Sequence, residues 1–195
     1  MTQPIIISKN VNDTLAGHLL VSTPQLEDDF FSRSVIYVAE HNKEGAMGII
    51  INNPIDHVSI NEVLEQMQLS LRAGDRKISV MFGGPVETHR GFVIHNGTFT
   101  DPAAVSERDG ITVSANAAVL QSWISGDFQA KAMLALGYAG WSAGQLEGEI
   151  ESGSWVVVPA TQTLLFDAKT EDRWQLAIAS LGFDMGNLSS TVGHA

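Results

Sequence analysis

One mixed β-sheet carrying several helices is the architecture this sequence predicts, and three observations predict it. The chain has 195 residues, 44% hydrophobic and 17% charged, which is enough for one buried core and suits one domain better than two. Three strand-like runs follow one another before the first helix signal, whereas later runs alternate with helices, so a purely parallel doubly wound sheet does not fit. No linker, internal repeat or low-complexity tract divides the chain.

In chain order, the β-branched and aromatic runs Leu19–Thr23, Val35–Glu40 and Gly48–Ile51 are read as the opening strands. Ser59-Ile60-Asn61-Glu62 has the spacing of a capping box, ahead of the apolar Val63, Leu64 and Met67, and starts the first helix. Strands are expected at Ile78–Phe82, Gly91–His95 and Ile111–Ser114, then a helix after Ser114 carrying Ala117, Ala118 and Leu120. Ala132–Tyr138 reads as a strand, a third helix is expected from Ser142, and Trp155–Pro159 is the last strand. A final helix over about 170–181 places Trp174, Leu176, Ala177, Ile178 and Leu181 on a broad apolar stripe before Gly182. Residues 1–183 thus form the expected domain. Residues 184–195 are small and polar, with too little apolar surface to offset ordering entropy, and are expected to be a mobile tail.

Composition narrows the function. A net charge of -11, from 22 acidic and 11 basic side chains, repels phosphate backbones and anionic membrane surfaces, which argues against direct nucleic-acid binding. The absence of cysteine excludes disulfides, thiolate metal sites and a thiol nucleophile. The start, Met1-Thr2-Gln3-Pro4, lacks a basic segment followed by a long apolar stretch, and no run approaches the ~20 apolar residues of a membrane span. A cytoplasmic protein with no membrane association is the expectation. The histidines show no i, i+4 helical pair, so no metal site is expected, and Glu27-Asp28-Asp29 reads as a solvated acidic loop.

Two glycine-punctuated segments are the strongest site signals. Gly83-Gly84-Pro85-Val86 links two strands, with Arg90 close behind, and reads either as a tight turn or as a set of backbone amides that, with Arg90, could hold a carboxylate or phosphate. Gly140-Trp141-Ser142-Ala143-Gly144 stands between a strand and a helix and matches the G-x-S-x-G nucleophile elbow. The same residues also give Ser142-Ala143-Gly144-Gln145, a capping box that needs no chemistry. Trp141 stands in this glycine turn, where it can wall a pocket. No phosphate-binding or dinucleotide fingerprint is present.

Taken together, Gly17-His18-Leu19-Leu20-Val21-Ser22-Thr23-Pro24, Phe31-Ser32-Arg33-Ser34-Val35, Gly45-Ala46-Met47-Gly48-Ile49-Ile50-Ile51-Asn52, Gly83-Gly84-Pro85-Val86 and Gly137–Glu147 resemble the AlgH/YqgE family of uncharacterised bacterial proteins. The resemblance spans most of the chain. It implies a single-domain α+β fold with a strongly bent mixed sheet approaching a barrel, helices packed around it, and no known cofactor. The family label carries an association with regulation of alginate synthesis, which the charge of this chain makes indirect rather than DNA-contacting.

Two functions from different classes follow. The first is a non-enzymatic regulatory or interaction module whose glycine-lined polar cleft takes a small anionic ligand or a protein partner's peptide. Ser22, Thr23, Asn52, Gly83, Gly84, Arg90, Tyr138, Trp141 and Gln145 are its expected binding residues, supplying hydrogen bonds, backbone approach, charge and apolar contact. The second is a serine hydrolase or acyl-transfer enzyme using Ser142, with His194 or His95 as base and Asp167 or Asp184 as orienter.

Overall fold

The computed structural model describes residues 14–26, 28–70 and 78–182. Nine strands occur among them: β1 (His18–Ser22), β2 (Val35–Asn42), β3 (Gly45–Ile50), β4 (Val80–Phe82), β5 (Val86–His95), β6 (Ser106–Arg108), β7 (Ile111–Ser114), β8 (Ala132–Ser142) and β9 (Trp155–Pro159). The helices are α1 (Ile60–Gln66), α2 (Ala117–Ser125), α3 (Gln145–Glu151) and α4 (Arg173–Ala179), with a π-helical turn at Thr163–Asp167 and a 3-10 turn at Thr170–Asp172. The sheet runs β6-β7-β5-β8-β3-β2-β1-β9, and β4 lies beside β8 off this path. Every pairing is antiparallel except β4 with β8, so the sheet is mixed, as expected.

β8 joins two half-sheets. Its first half pairs with β5 and β4, and its second half, from Ala139 to Ser142, pairs with β3. The change of partner falls at Gly137, whose φ of 74° a side chain would resist. There the sheet bends, and its two ends curl toward each other without closing. Arg108 at the end of β6 and Asp109 just after it reach Gly17 before β1, and Gln162 beyond β9 bonds Asn96.

The curl creates three apolar clusters. The inner one holds Leu19, Tyr37, Ile49, Phe92 and Ile94, and is capped by Leu165, Trp174 and Ile178. Helices α1 and α2 cover the outer face of one half-sheet through Leu64, Leu120 and Trp123. Helix α3 covers the outer face of the other, where Leu146 meets Ile36, Trp141 and Trp155. Each fully buried Leu, Ile or Val in these layers contributes roughly 1.5–3 kcal/mol. One polar group interrupts the inner cluster. The Tyr37 hydroxyl lies beside Ser106, neither completes a hydrogen bond of normal geometry, and burial pushes the phenol up to about 12.

Several boundaries differ from the sequence reading for local reasons. The helix α1 box is present on both sides: Glu62 N–H donates to Ser59 Oγ (3.2 Å) and Ser59 N–H to the Glu62 carboxylate (2.7 Å). Helix α2 is capped by Asn116 rather than Ser114, its side chain accepting from Ala118 N–H at 2.9 Å, because Ser114 already closes β7 and donates to Asp101. Helix α3 begins after Gly144, not at Ser142. The last helix is split into the 3-10 turn and α4. β6 was not expected; its residues, Ser106-Glu107-Arg108, carry no apolar alternation and pair at a sheet edge. The expected tail lies outside the described residues.

Candidate functional site

The nine residues singled out from the sequence do not meet on one surface. Gly83 and Gly84 are buried against β8: a Cβ on Gly83 would stand 2.3 Å from the Gly137 carbonyl oxygen, and one on Gly84 2.1 Å from the Tyr138 carbonyl carbon. Their smallness admits another backbone, not a ligand. Tyr138 faces the inner cluster against Phe92, whereas Trp141, three residues along the same strand, points to the outer face.

Arg90 sits on an arch. Val86 pairs with Tyr138 and Gly91 with Leu136, so five steps along β5 oppose two along β8, and residues 87–90 stand out from the sheet, exposed. The Arg90 guanidinium there pairs with Glu87 at 3.0 Å and lies 5.2 Å from the centre of the Phe92 ring. Its charge is already partnered.

Trp141 and Gln145 belong to the docking of α3. The Glu149 carboxylate accepts from the Trp141 indole (2.9 Å), the Trp155 indole (2.8 Å) and the Gln145 amide (2.9 Å). Trp141 therefore anchors a helix and is buried rather than walling a pocket. Only half of the Ser142 capping box exists, with Ser142 N–H donating to the Gln145 side chain at 3.0 Å, while the helix itself has no side-chain cap. The strand-turn-helix context of an elbow is present, but its proposed base is not beside it. His95 pairs with Ala132, ten residues up β8 from Ser142, or roughly 30 Å of strand path. Asp167 pairs with Lys131, and His194 and Asp184 lie outside the described residues.

The remaining residues, Ser22, Thr23 and Asn52, cluster at one end of the sheet. Thr23 donates to the Gly153 carbonyl at 2.8 Å and fixes the β9 connection. Ser22 is buried; its hydroxyl accepts from Ser34 N–H (2.9 Å) and its carbonyl from the Trp174 indole (2.9 Å). Asn52 accepts from Val35 N–H (2.7 Å) and donates to the Arg33 carbonyl (2.9 Å). These bonds shape the wall of an open cleft of about 450 Å³ between the loop before β2 and the start of α4. Asp29, Phe30, Arg33, Asn52, Glu171 and Trp174 line it, and no glycine does.

Arg33 is held at a φ of 52°, a left-handed conformation that costs a non-glycine residue about 1–2 kcal/mol, and its guanidinium lies 5.5 Å from the Trp174 ring centre. Asp28 supports the same loop by accepting from Phe30 and Phe31 N–H groups, at 2.8 and 3.1 Å. Beneath the cleft Arg173 is buried and donates to the Ile51 carbonyl; burial lowers its pKa. Among these lining residues only Asn52 was expected from the sequence to bind a ligand; Asp29 was read as part of a solvated acidic loop and Trp174 as part of an apolar helix stripe. Arg33 and Trp174 are 141 positions apart, and the one available signal was Arg33 inside the stretch Phe31–Val35.

Among the described residues there is no group of three His, Asp or Glu side chains able to hold a metal ion, and no helix long and apolar enough to cross a membrane. The fold and the cleft define a bent-sheet α+β protein with a polar recess at one end of its sheet. The chain belongs to the AlgH-like family, whose model matches residues 19–186. A UPF0301 protein of Methylocella silvestris is 43% identical over 189 residues, covering 93% of this chain and 92% of that one. The solution structure of the AlgH protein from Pseudomonas aeruginosa matches with a TM-score of 0.77 and 35% identity over the whole of both chains. A Corynebacterium diphtheriae protein, at 22% identity and a TM-score of 0.67 over 89% of this chain and 90% of that one, shares the fold.

Proposed function

We propose that this protein is a non-enzymatic binding module of the bacterial cytoplasm, acting in regulation by recognising a small charged ligand or the end of a partner's peptide in the cleft beside Arg33. One observation carries the reading: Asn52 fixes the strained Arg33 turn from both sides, so a cation is presented in a polar recess by a rigid support. A volume of about 450 Å³ falls within the roughly 300–1,000 Å³ of small-molecule sites. The glycine crossing at Gly83, Gly84 and Gly137 serves this reading indirectly, by setting the bend of the sheet that carries the cleft.

A thermal-shift screen of the purified protein against nucleotides, phosphosugars, carboxylates, amino acids and divalent metals tests it. A ligand present at about 100 times its dissociation constant raises the midpoint by roughly 5–10 °C for a domain of this size. The expected result is a hit that vanishes in Arg33→Gln and persists in Arg90→Gln. A screen that is blank for a well-folded protein would sink the reading. Stoichiometric labelling of Ser142 by a fluorophosphonate would establish the hydrolase alternative in its place.

A further inference from the structure

We propose that the cleft recognises a zwitterion of dipeptide size, with Arg33 holding its carboxylate and Asp29 and Glu171 facing its ammonium group. This inference rests on the binding reading above and specifies its ligand.

The charges of the cleft carry it. Arg33 lines the recess with an exposed side chain, and among the described residues its guanidinium lies against the face of Trp174. Asp29 and Glu171 line the same recess, also exposed. Among the described residues no ion pair within 4 Å joins any of the three to a partner, although Glu171 also acts at longer range on the buried Arg173 cation beneath the cleft. A recess holding both signs of charge, unpaired with one another, is complementary to a ligand that itself holds both. A phosphate or dicarboxylate would gain Arg33 but face two carboxylates, and a simple amine would leave the guanidinium unmatched. The planar fork of arginine suits a carboxylate in particular.

Size and rim set the rest. A recess of about 450 Å³ exceeds what one ion fills. Phe30 is 50% exposed at its edge, stacked on Phe82 with ring centres 5.7 Å apart, and offers a fixed apolar face to a ligand side chain. Two charged ends with an apolar side chain between them describe a short free peptide.

The test is calorimetric titration of the full-length protein with leucyl-leucine, its N-acetyl form, its C-terminal amide, succinate and inorganic phosphate. Saturable binding of the free dipeptide is expected, with each blocking group weakening it about tenfold or more, the scale of one charge-assisted contact. In Arg33→Gln the free and amidated peptides should bind alike. In the Asp29→Asn, Glu171→Gln double variant the free and acetylated peptides should bind alike, and circular dichroism should show both variants folded. Equal binding of free and blocked peptides to the wild type would overturn the inference, as would binding of none of them. Succinate or phosphate binding in their place, lost in Arg33→Gln, would overturn it while leaving the binding-module reading intact. A blank titration together with a blank broader screen would remove both.

Discussion

Asn52 uses both ends of its amide on the turn that presents Arg33, accepting from Val35 N–H and donating to the Arg33 carbonyl. Truncation to alanine leaves a strand-end donor unsatisfied and frees a turn already strained at Arg33, so Asn52→Ala should destabilise by about 1–3 kcal/mol in urea unfolding. Tyr37 is the counterpart, because among the described residues its buried hydroxyl completes no hydrogen bond of normal geometry, even to the neighbouring Ser106. Tyr37→Phe should therefore fall within about 0.5 kcal/mol of the wild type or exceed it. Equal losses for the two would refute this account of where the buried polar groups are satisfied.

His95 is a second residue whose surroundings fix its behaviour. It is fully buried on β5, with Nδ1 3.2 Å from the Gly97 carbonyl and Nε2 without a partner among the described residues. Burial lowers its pKa below the ordinary 6.5, against the opposing pulls of the Gly97 carbonyl, Asp101 and Glu107. A depressed histidine favours the folded state fully above the unfolded value, and that contribution is lost on acidification because the unfolded chain binds the proton first. Asp101, held low chiefly by the Ser114 hydroxyl, acts in a separate window: its contribution is present above its unfolded value near 3.8 and lost as pH falls through the folded one. Between about pH 7.5 and 5.5 the wild type should lose stability through His95, and His95→Asn should show a flatter profile. Parallel profiles would mean the imidazole is not held neutral by the fold.

At the scale of elements, one carboxylate gathers the indole hydrogen bonds that dock α3, beside the packing of Leu146 and the His41–Glu147 pair. Glu149 satisfies two part-buried indoles and the Gln145 amide at once, while the helix has no side-chain cap and Ser142 makes only a backbone bond to it. Glu149→Ala should cost about 2–4 kcal/mol and shift tryptophan emission to longer wavelength as Trp141 and Trp155 lose their acceptor. Ser142→Ala should stay within about 0.5 kcal/mol. A Ser142 effect near 1 kcal/mol, the size of a lost cap, would restore the capping role that its spacing suggested.

The contrast shows what was legible. The strands Val35–Asn42, Ile111–Ser114 and Trp155–Pro159 announce themselves through apolar or β-branched runs, and the α1 cap through its spacing. The first half of β5, Val86–Arg90, is wholly exposed and gives no alternation to read. The cleft was least legible. It joins a loop near residue 30 to a helix near 174, and a polar side chain in a loop looks the same in sequence whether it meets solvent or a distant wall.

For the whole molecule, the decisive feature is where two backbones cross. Gly84, at a φ of 152°, lies against the Tyr138 carbonyl, and a Cβ on Gly137 would stand 2.3 Å from the Gly84 carbonyl oxygen. At this crossing β8 passes from its β4 and β5 partners to β3, so the bend and the union of both half-sheets depend on it. Neither contact can be relieved by rotating a side chain, because both obstacles are main chain. Gly84→Ala should therefore separate the half-sheets and yield no soluble folded protein, a loss beyond roughly 4 kcal/mol. Gly144→Ala is the control: its φ of 75° is also left-handed, but among the described residues nothing lies within 4 Å of the added Cβ. That variant carries conformational strain alone, about 1–2 kcal/mol, and should fold with a lowered midpoint. If Gly84→Ala behaved like Gly144→Ala, backbone conformation rather than close approach would explain the paired glycines, and the crossing would not be what holds the bent sheet together.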